Sequence, residues 1–147
     1  MIKVDVTCEP AHVLKPNVSK IKKIIKMVYE NENVYDYNIS IIFTNDELVS
    51  SLKKTFFKIN ELTDVIAFRL NDYSEKKVEG EVYISVERVF SNAKKFNEKK
   101  TVEISRILIH GLLHLLNYKD NTHKSKNLMT KKENYYLTKV DCEFFNA

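Results

Sequence analysis

Glycine and proline are nearly missing, with two of each in 147 residues. That scarcity excludes Gly-rich linkers, collagen-like repeats and Pro-rich recognition segments. Turns must be built largely from Asn, Asp, Ser and Lys instead. Tryptophan is absent. Cysteine occurs only at Cys8 and Cys142, with no Cys-x-x-Cys pair, so the sequence carries no disulfide framework and the two thiols read as reduced and partly buried. No stretch approaches the roughly 18 consecutive apolar residues of a membrane span. The N-terminal "MIKVDVTCEP" is broken by an acidic residue and lacks the apolar core of a secretory signal. These absences predict a cytoplasmic protein with no membrane contact.

Hydrophobic residues at 44% and charged residues at 30% are globular proportions, which exclude intrinsic disorder. A chain of this length buries enough surface to fold without a disulfide or metal staple. Its formal charge of +4 permits a polyanionic partner such as nucleic acid without requiring one.

Periodicity divides the chain. Ile2, Val4, Val6 and Cys8 alternate with polar residues as in a half-buried strand. Ile21, Ile24, Ile25, Val28 and Tyr29 have helical spacing, with Asn17 or Ser19 as N-cap. "YNISIIFT" (37–44), "TDVIAFRL" (63–70) and "GEVYISV" (80–86) read as strands. Between the first two of these, Thr44 and Glu47 form a capping-box pattern ahead of a helix with Leu48, Leu52 and Phe56 as its buried stripe. "ERVFSNAKKF" predicts a helix with Val89, Ala93 and Phe96 on one side. Residues 101–116 form the most apolar segment and predict a central helix, followed by a loop over 117–127. A last helix from Leu128 offers Met129, Tyr136, Val140 and Phe144 for packing. The expectation is one α+β domain spanning 1–147. Its single mixed four-stranded sheet packs against about five helices, one of them a central apolar helix carrying two histidines.

Those histidines lie in "HGLLHLLNYKD", residues 110–120. On a helix, His110 and His114 share a face, which makes half of a zinc site. Paired histidines at this spacing also occur as hydrogen-bonded core residues. A third ligand would come from chain that turns back after the helix, so Asp120 and His123 are both candidates. Asn117 suits the left-handed residue that ends a helix and redirects the chain. In zinc peptidases the motif is His-Glu-x-x-His with Glu as general base. Position 111 is Gly, so that base is missing. A mid-helix Gly costs about 1 kcal/mol relative to Ala, and close packing against a neighbouring backbone would offset it.

The stretch resembles the signature of the YbeY endoribonucleases, His-Gly-x-Leu-His-Leu-x-Gly-Tyr-Asp-His. "SSLKKTFF" (50–57), "TDVIAF" (63–68), "GEVYIS" (80–85) and "NLMTKKE" (127–133) resemble further family segments in the same order. The resemblance covers essentially the whole chain and is tightest over about 39–133. It implies a single-domain zinc protein that acts as a single-strand-specific endoribonuclease. The implied roles are rRNA maturation, notably at the 3′ end of small-subunit rRNA, and ribosome quality control. Implied partners are ribosomal RNA, the small subunit and assembly factors. The implied metal ligands are His110, His114 and Asp120.

Several positions depart from the family pattern. Asp120 stands where the family has a third histidine, Lys119 where it has Asp, and Asn117 where it has Gly. Phe57 stands where it has an Arg that contacts substrate phosphate. Lys54, Lys58, Arg69 and Arg88 are candidate replacements for that cation. An anionic Asp120 ligand would leave zinc less electrophilic than imidazole would. Phe57 and Tyr118 are candidates for stacking on bases, or for core packing. Glu133 either orients a ligand histidine from behind or is a solvated helix acid. Two rivals remain open: a zinc hydrolase of another class, and a non-catalytic ribosome-assembly factor with structural zinc.

Overall fold

A computed structural model describes residues 1–145. In chain order the elements are β1 (Ile2–Cys8), α1 (Val18–Asn31), β2 (Tyr37–Thr44), α2 (Asp46–Phe57), β3 (Val65–Arg69), β4 (Val78–Ser85), α3 (Val86–Lys95), α4 (Lys100–Leu115) and α5 (His123–Leu137). The four strands form one sheet in the order β1-β2-β4-β3. β1 and β4 both run parallel to β2, and β3 runs antiparallel to β4. The sheet is therefore mixed, and it is accompanied by five helices as expected, with α2, α3 and α4 directly on the sheet and α5 packed on α4. Alternation places Ile39, Ile41 and Phe43 of β2, and Val82 and Ile84 of β4, fully in the core. None of the helices in the described residues is long and apolar enough to cross a membrane.

α4 touches β3, β4, α1, α3 and α5, so it is surrounded on most sides. Ile104, Leu108, Ile109, Leu112, Leu113 and Leu115 are accordingly buried completely. The chain's two glycines both lie where α4 meets the sheet. A Cβ on Gly111 would come 2.6 Å from Cγ1 of Val82. One on Gly80 would come 2.7 Å from Cδ2 of Leu115 and 3.0 Å from the Phe68 carbonyl oxygen. The mid-helix glycine is thus offset by the close approach of a core side chain rather than of a backbone. Gly111→Ala is expected to lose more to overpacking, about 1–3 kcal/mol, than helix propensity returns, about 1 kcal/mol. Urea unfolding reads the net effect, and a more stable variant would show that Val82 yields freely.

Of the local expectations, one of the two candidate caps for α1 is borne out and several others are corrected. Asn17 caps α1, accepting from the Lys20 N–H. α2 is capped by Asn45, whose Oδ1 accepts from the Leu48 N–H at 3.0 Å. The Thr44 hydroxyl is not free to cap, because it donates to the Glu9 carbonyl at 2.6 Å. Val49 is the buried residue of α2, and Phe56 is 62% exposed, resting edge-on against Phe68 of β3. Phe96 falls at the end of α3 and is 68% exposed, away from Val89 and Ala93. α5 starts at His123, earlier than expected, because Thr122 and Ser125 form a reciprocal capping box. It ends at Leu137, so Val140 and Phe144 lie beyond it. Phe144 is still buried, in a tail whose Phe145 bridges to Pro16. Cys8 and Cys142 are free and half-buried.

Candidate metal centre

The last turn of α4 determines where the site lies. Asn117 takes a left-handed conformation, φ 73°. Its N–H bonds the His114 carbonyl at 3.0 Å, and the Tyr118 N–H bonds the Leu113 carbonyl at 3.2 Å. That pair of bonds is the Schellman motif, which stops a helix and reverses the chain. The reversal brings Asp120 back over the histidine face. Its Oδ2 lies 3.3 Å from His110 Nε2 and 3.4 Å from His114 Nε2. The two Nε2 atoms are 2.9 Å apart. His110, His114 and Asp120 form a group that could hold a metal ion, with one ligand atom of each within 4.8 Å of the others.

The outer nitrogens determine which protons the rings carry. His114 Nδ1 lies 2.8 Å from the Tyr118 carbonyl oxygen, which can only accept. His110 Nδ1 lies 2.6 Å from Oε2 of Glu133, whose Oε1 accepts from Arg106 Nη1 at 3.2 Å. Each Nδ1 therefore carries the hydrogen and each Nε2 presents a lone pair, an assignment that follows from the partners. Two lone pairs and a carboxylate then converge with no donor among them, an arrangement suited to a cation. Burial disfavours a proton on His110, but Glu133, then Asp120 and Asp64, outweigh it and raise its pKa. Burial and the neighbouring His110 lower that of His114. Two imidazoles and one carboxylate are also a fitting donor set for zinc with a fourth position open.

A cleft of about 370 Å³ opens beside His114, with Phe57, Lys53, Lys119, Tyr73 and Ile59 among its lining residues. Phe57 is 48% exposed and stacks on Phe68, with centroids 5.9 Å apart and planes inclined at 16°. The candidate replacement cations fare differently. Arg69 is committed to structure: Nη1 donates to the Leu115 carbonyl at 2.8 Å and Nη2 to those of Asp72 and Lys77. Arg88 pairs with Asp46 at 2.6 Å. Lys54 and Lys58 do not line the cleft, whereas Lys53 and Lys119 do. Lys53 also pairs with Glu61 at 2.8 Å. Only the position of Lys119, directly before Asp120, offered a sequence signal for either.

The remaining expected residues separate as clearly. Tyr118 does not offer a free ring, because its hydroxyl donates to Glu32 and the Lys132 ammonium sits 5.0 Å over its face. His123 lies apart from the cluster, at the start of α5, with Nε2 3.4 Å from Asn127 Nδ2. Glu133 is buried and bonded to His110 rather than solvated. Arg106, one helical turn before His110, was not anticipated. Its i−4 spacing on α4 was the available signal.

Comparison with known proteins agrees with this arrangement. The family model described as endoribonuclease YbeY matches residues 7–141. The endoribonuclease YbeY of Christiangramia forsetii is 38% identical over 109 residues, covering 74% of this chain and 75% of the relative. That of Amoebophilus asiaticus is 37% identical over 122 residues, covering 83% and 82%. The solution structure of TM1509 from Thermotoga maritima superposes with a TM-score of 0.60 at 25% identity, covering 95% of this chain and 89% of that one. With the motifs in order along the sheet and the histidines of α4 facing Asp120, the chain belongs to the YbeY family.

Proposed function

We propose that this protein, as one domain spanning 1–147, is a zinc-dependent endoribonuclease that cuts single-stranded RNA. Its role would be in the cytoplasm, in maturation of the 3′ end of small-subunit rRNA and in ribosome quality control. Its partners would be the small subunit and associated assembly factors. The observation that supports this most is the convergence of His110, His114 and Asp120 beside a cleft with lysines on its walls. The relatives' name, endoribonuclease, supplies the reaction class.

Zinc, when bound, would supply Lewis-acid polarisation of a phosphoryl oxygen and activation of water. His110 and His114 would hold it through Nε2, and Asp120 through its carboxylate. Glu133 and the Tyr118 carbonyl accept from the two Nδ1 atoms, which would leave both Nε2 lone pairs available to the ion. Arg106 pairs with the other oxygen of Glu133 at 3.2 Å and holds it in position. Lys119 and Lys53 would attract the RNA backbone, which makes binding weaken as salt rises. Phe57, flat against Phe68 and half open, would stack on an unpaired base, a contact contributing about 1–3 kcal/mol. Base stacking would thus replace a phosphate contact at position 57. Duplex RNA hides its bases from such a ring, which favours single strands.

The test uses zinc-loaded protein on an RNA carrying the 3′ end of small-subunit rRNA, single-stranded or annealed to its complement. Cleavage is expected in the single strand only, is abolished by a chelator and returns with added zinc. Phe57→Ala is expected to raise KM about tenfold or more, as loss of one stack predicts. Zinc-loaded protein that cuts no RNA yet restores ribosome maturation in cells would favour the assembly-factor reading instead.

A further inference from the structure

Glu32 lies just past the end of α1, far in sequence from the candidate metal centre, yet its buried carboxylate is linked to it. The carboxylate accepts from the Tyr118 hydroxyl at 2.5 Å, from the Lys132 ammonium at 2.9 Å and from the Tyr136 hydroxyl. Tyr118 is the link. Its phenol is held by Glu32, its ring lies under Lys132, and its carbonyl oxygen accepts from His114 Nδ1 at 2.8 Å. Its backbone runs on, two residues later, to Asp120. One tyrosine thus fixes the orientation of one candidate ligand and starts the segment that delivers another. Beyond the two backbone bonds of the Schellman turn, the loop from Asn117 to Asp120 is open at this end: Asn117 and Lys119 are exposed.

We infer that Glu32 is a positioning residue for the metal centre, acting through Tyr118 to hold His114 and Asp120 at ligand geometry. This inference rests on reading His110, His114 and Asp120 as metal ligands. Burial by itself would raise the Glu32 pKa, but the Tyr118 and Tyr136 hydroxyls and Lys132 outweigh it and hold the group below its ordinary range. The carboxylate is therefore anionic at neutral pH and acts as a strong acceptor. A hydrogen bond to a charged group is roughly twice as strong as a neutral one, which suits an anchor that must hold a loop.

The competing role is purely structural, with Glu32 tying α1 to α5 and leaving the metal unaffected. Tyr136 separates the two. It donates to the same carboxylate but lies on α5 and makes no hydrogen bond to His114 or to residues 117–120. Tyr118→Phe and Tyr136→Phe each remove one hydroxyl from Glu32 and keep the ring. Both are expected to lower the melting temperature by similar amounts. Zinc affinity, measured by competition with a chromogenic chelator, is expected to fall about tenfold or more in Tyr118→Phe and in Glu32→Gln, the size found when a group behind a metal ligand is removed. It stays within about twofold of the parent in Tyr136→Phe, which leaves that shell intact. The visible spectrum of the cobalt-substituted protein changes in the first two and not in the third. Equal losses of affinity in Tyr118→Phe and Tyr136→Phe, or no loss in either, would overturn the inference. Failure of the parent protein to bind zinc at all would overturn the metal reading itself and this inference with it. Should Glu32→Gln not fold, the two tyrosine variants decide the matter.

Discussion

His114→Ala is expected to bind no zinc at stoichiometric metal and to cut single-stranded RNA slower by at least a factor on the order of 10³, about 4 kcal/mol of barrier. The substitution leaves His110 and Asp120 as the only members of the cluster, one fewer than the three protein ligands of a catalytic zinc. It also leaves the Tyr118 carbonyl without its imidazole donor. The fold is expected to survive, because His114 is partly exposed at the cleft rather than part of the packed core. Loss of activity through unfolding is excluded by measuring the melting temperature of both metal-free proteins, which is expected to differ by only a few degrees, as for other part-exposed truncations. Zinc retained at one equivalent in His114→Ala would remove this residue from the ligand set. It would also weaken the inference that Tyr118 matters through it.

How much of this was legible beforehand differs between features, for physical reasons. The alternation in Ile39, Ile41 and Phe43 is a local signal, and the strand it predicts is the buried centre of the sheet. Asn117 was equally readable, since few residues tolerate the left-handed conformation that ends a helix. Thr44 and Asn45 are both good caps and stand side by side. The choice between them was made by the Glu9 carbonyl, which takes the Thr44 hydroxyl from 35 residues away. α5 was entered late because its first turns, from His123 to Asn127, are polar. A polar helix secured by its cap has no apolar period to read.

The candidate site shows the same division. Spacing alone puts His110 and His114 on one face, and a tight turn alone brings Asp120 near. The side chains that support them are partners across distance: Glu133 is 23 residues from His110, and Glu32 is 86 from Tyr118. Arg69 and Arg88 looked like free cations in the sequence. Their acceptors, the Leu115 carbonyl and the Asp46 carboxylate, come from other elements and could not be read from the local pattern. Charge counted along the chain therefore overstated what is free to meet RNA, and Lys53 was found only through the cleft it lines.

Asp120→Ala is expected to lose zinc as completely as His114→Ala, while His123→Ala keeps it. The geometry is unequal: Asp120 Oδ2 sits within 3.4 Å of both Nε2 atoms, whereas His123 faces Asn127 at the start of α5. Elemental analysis of the two variants reads the outcome, and zinc retained in Asp120→Ala but lost in His123→Ala would reassign the third ligand. A third variant, Asp120→His, tests what the carboxylate does to the chemistry. A neutral imidazole withdraws less of the ion's positive charge than a carboxylate does, so water near it ionises more readily. Asp120→His is therefore expected to retain zinc and to move the rising limb of the pH–rate profile for RNA cleavage to lower pH. The direction is fixed by the sign of the ligand charge. A limb that moves to higher pH, or does not move while zinc stays at one equivalent, would mean that the activated water is not what limits the rate.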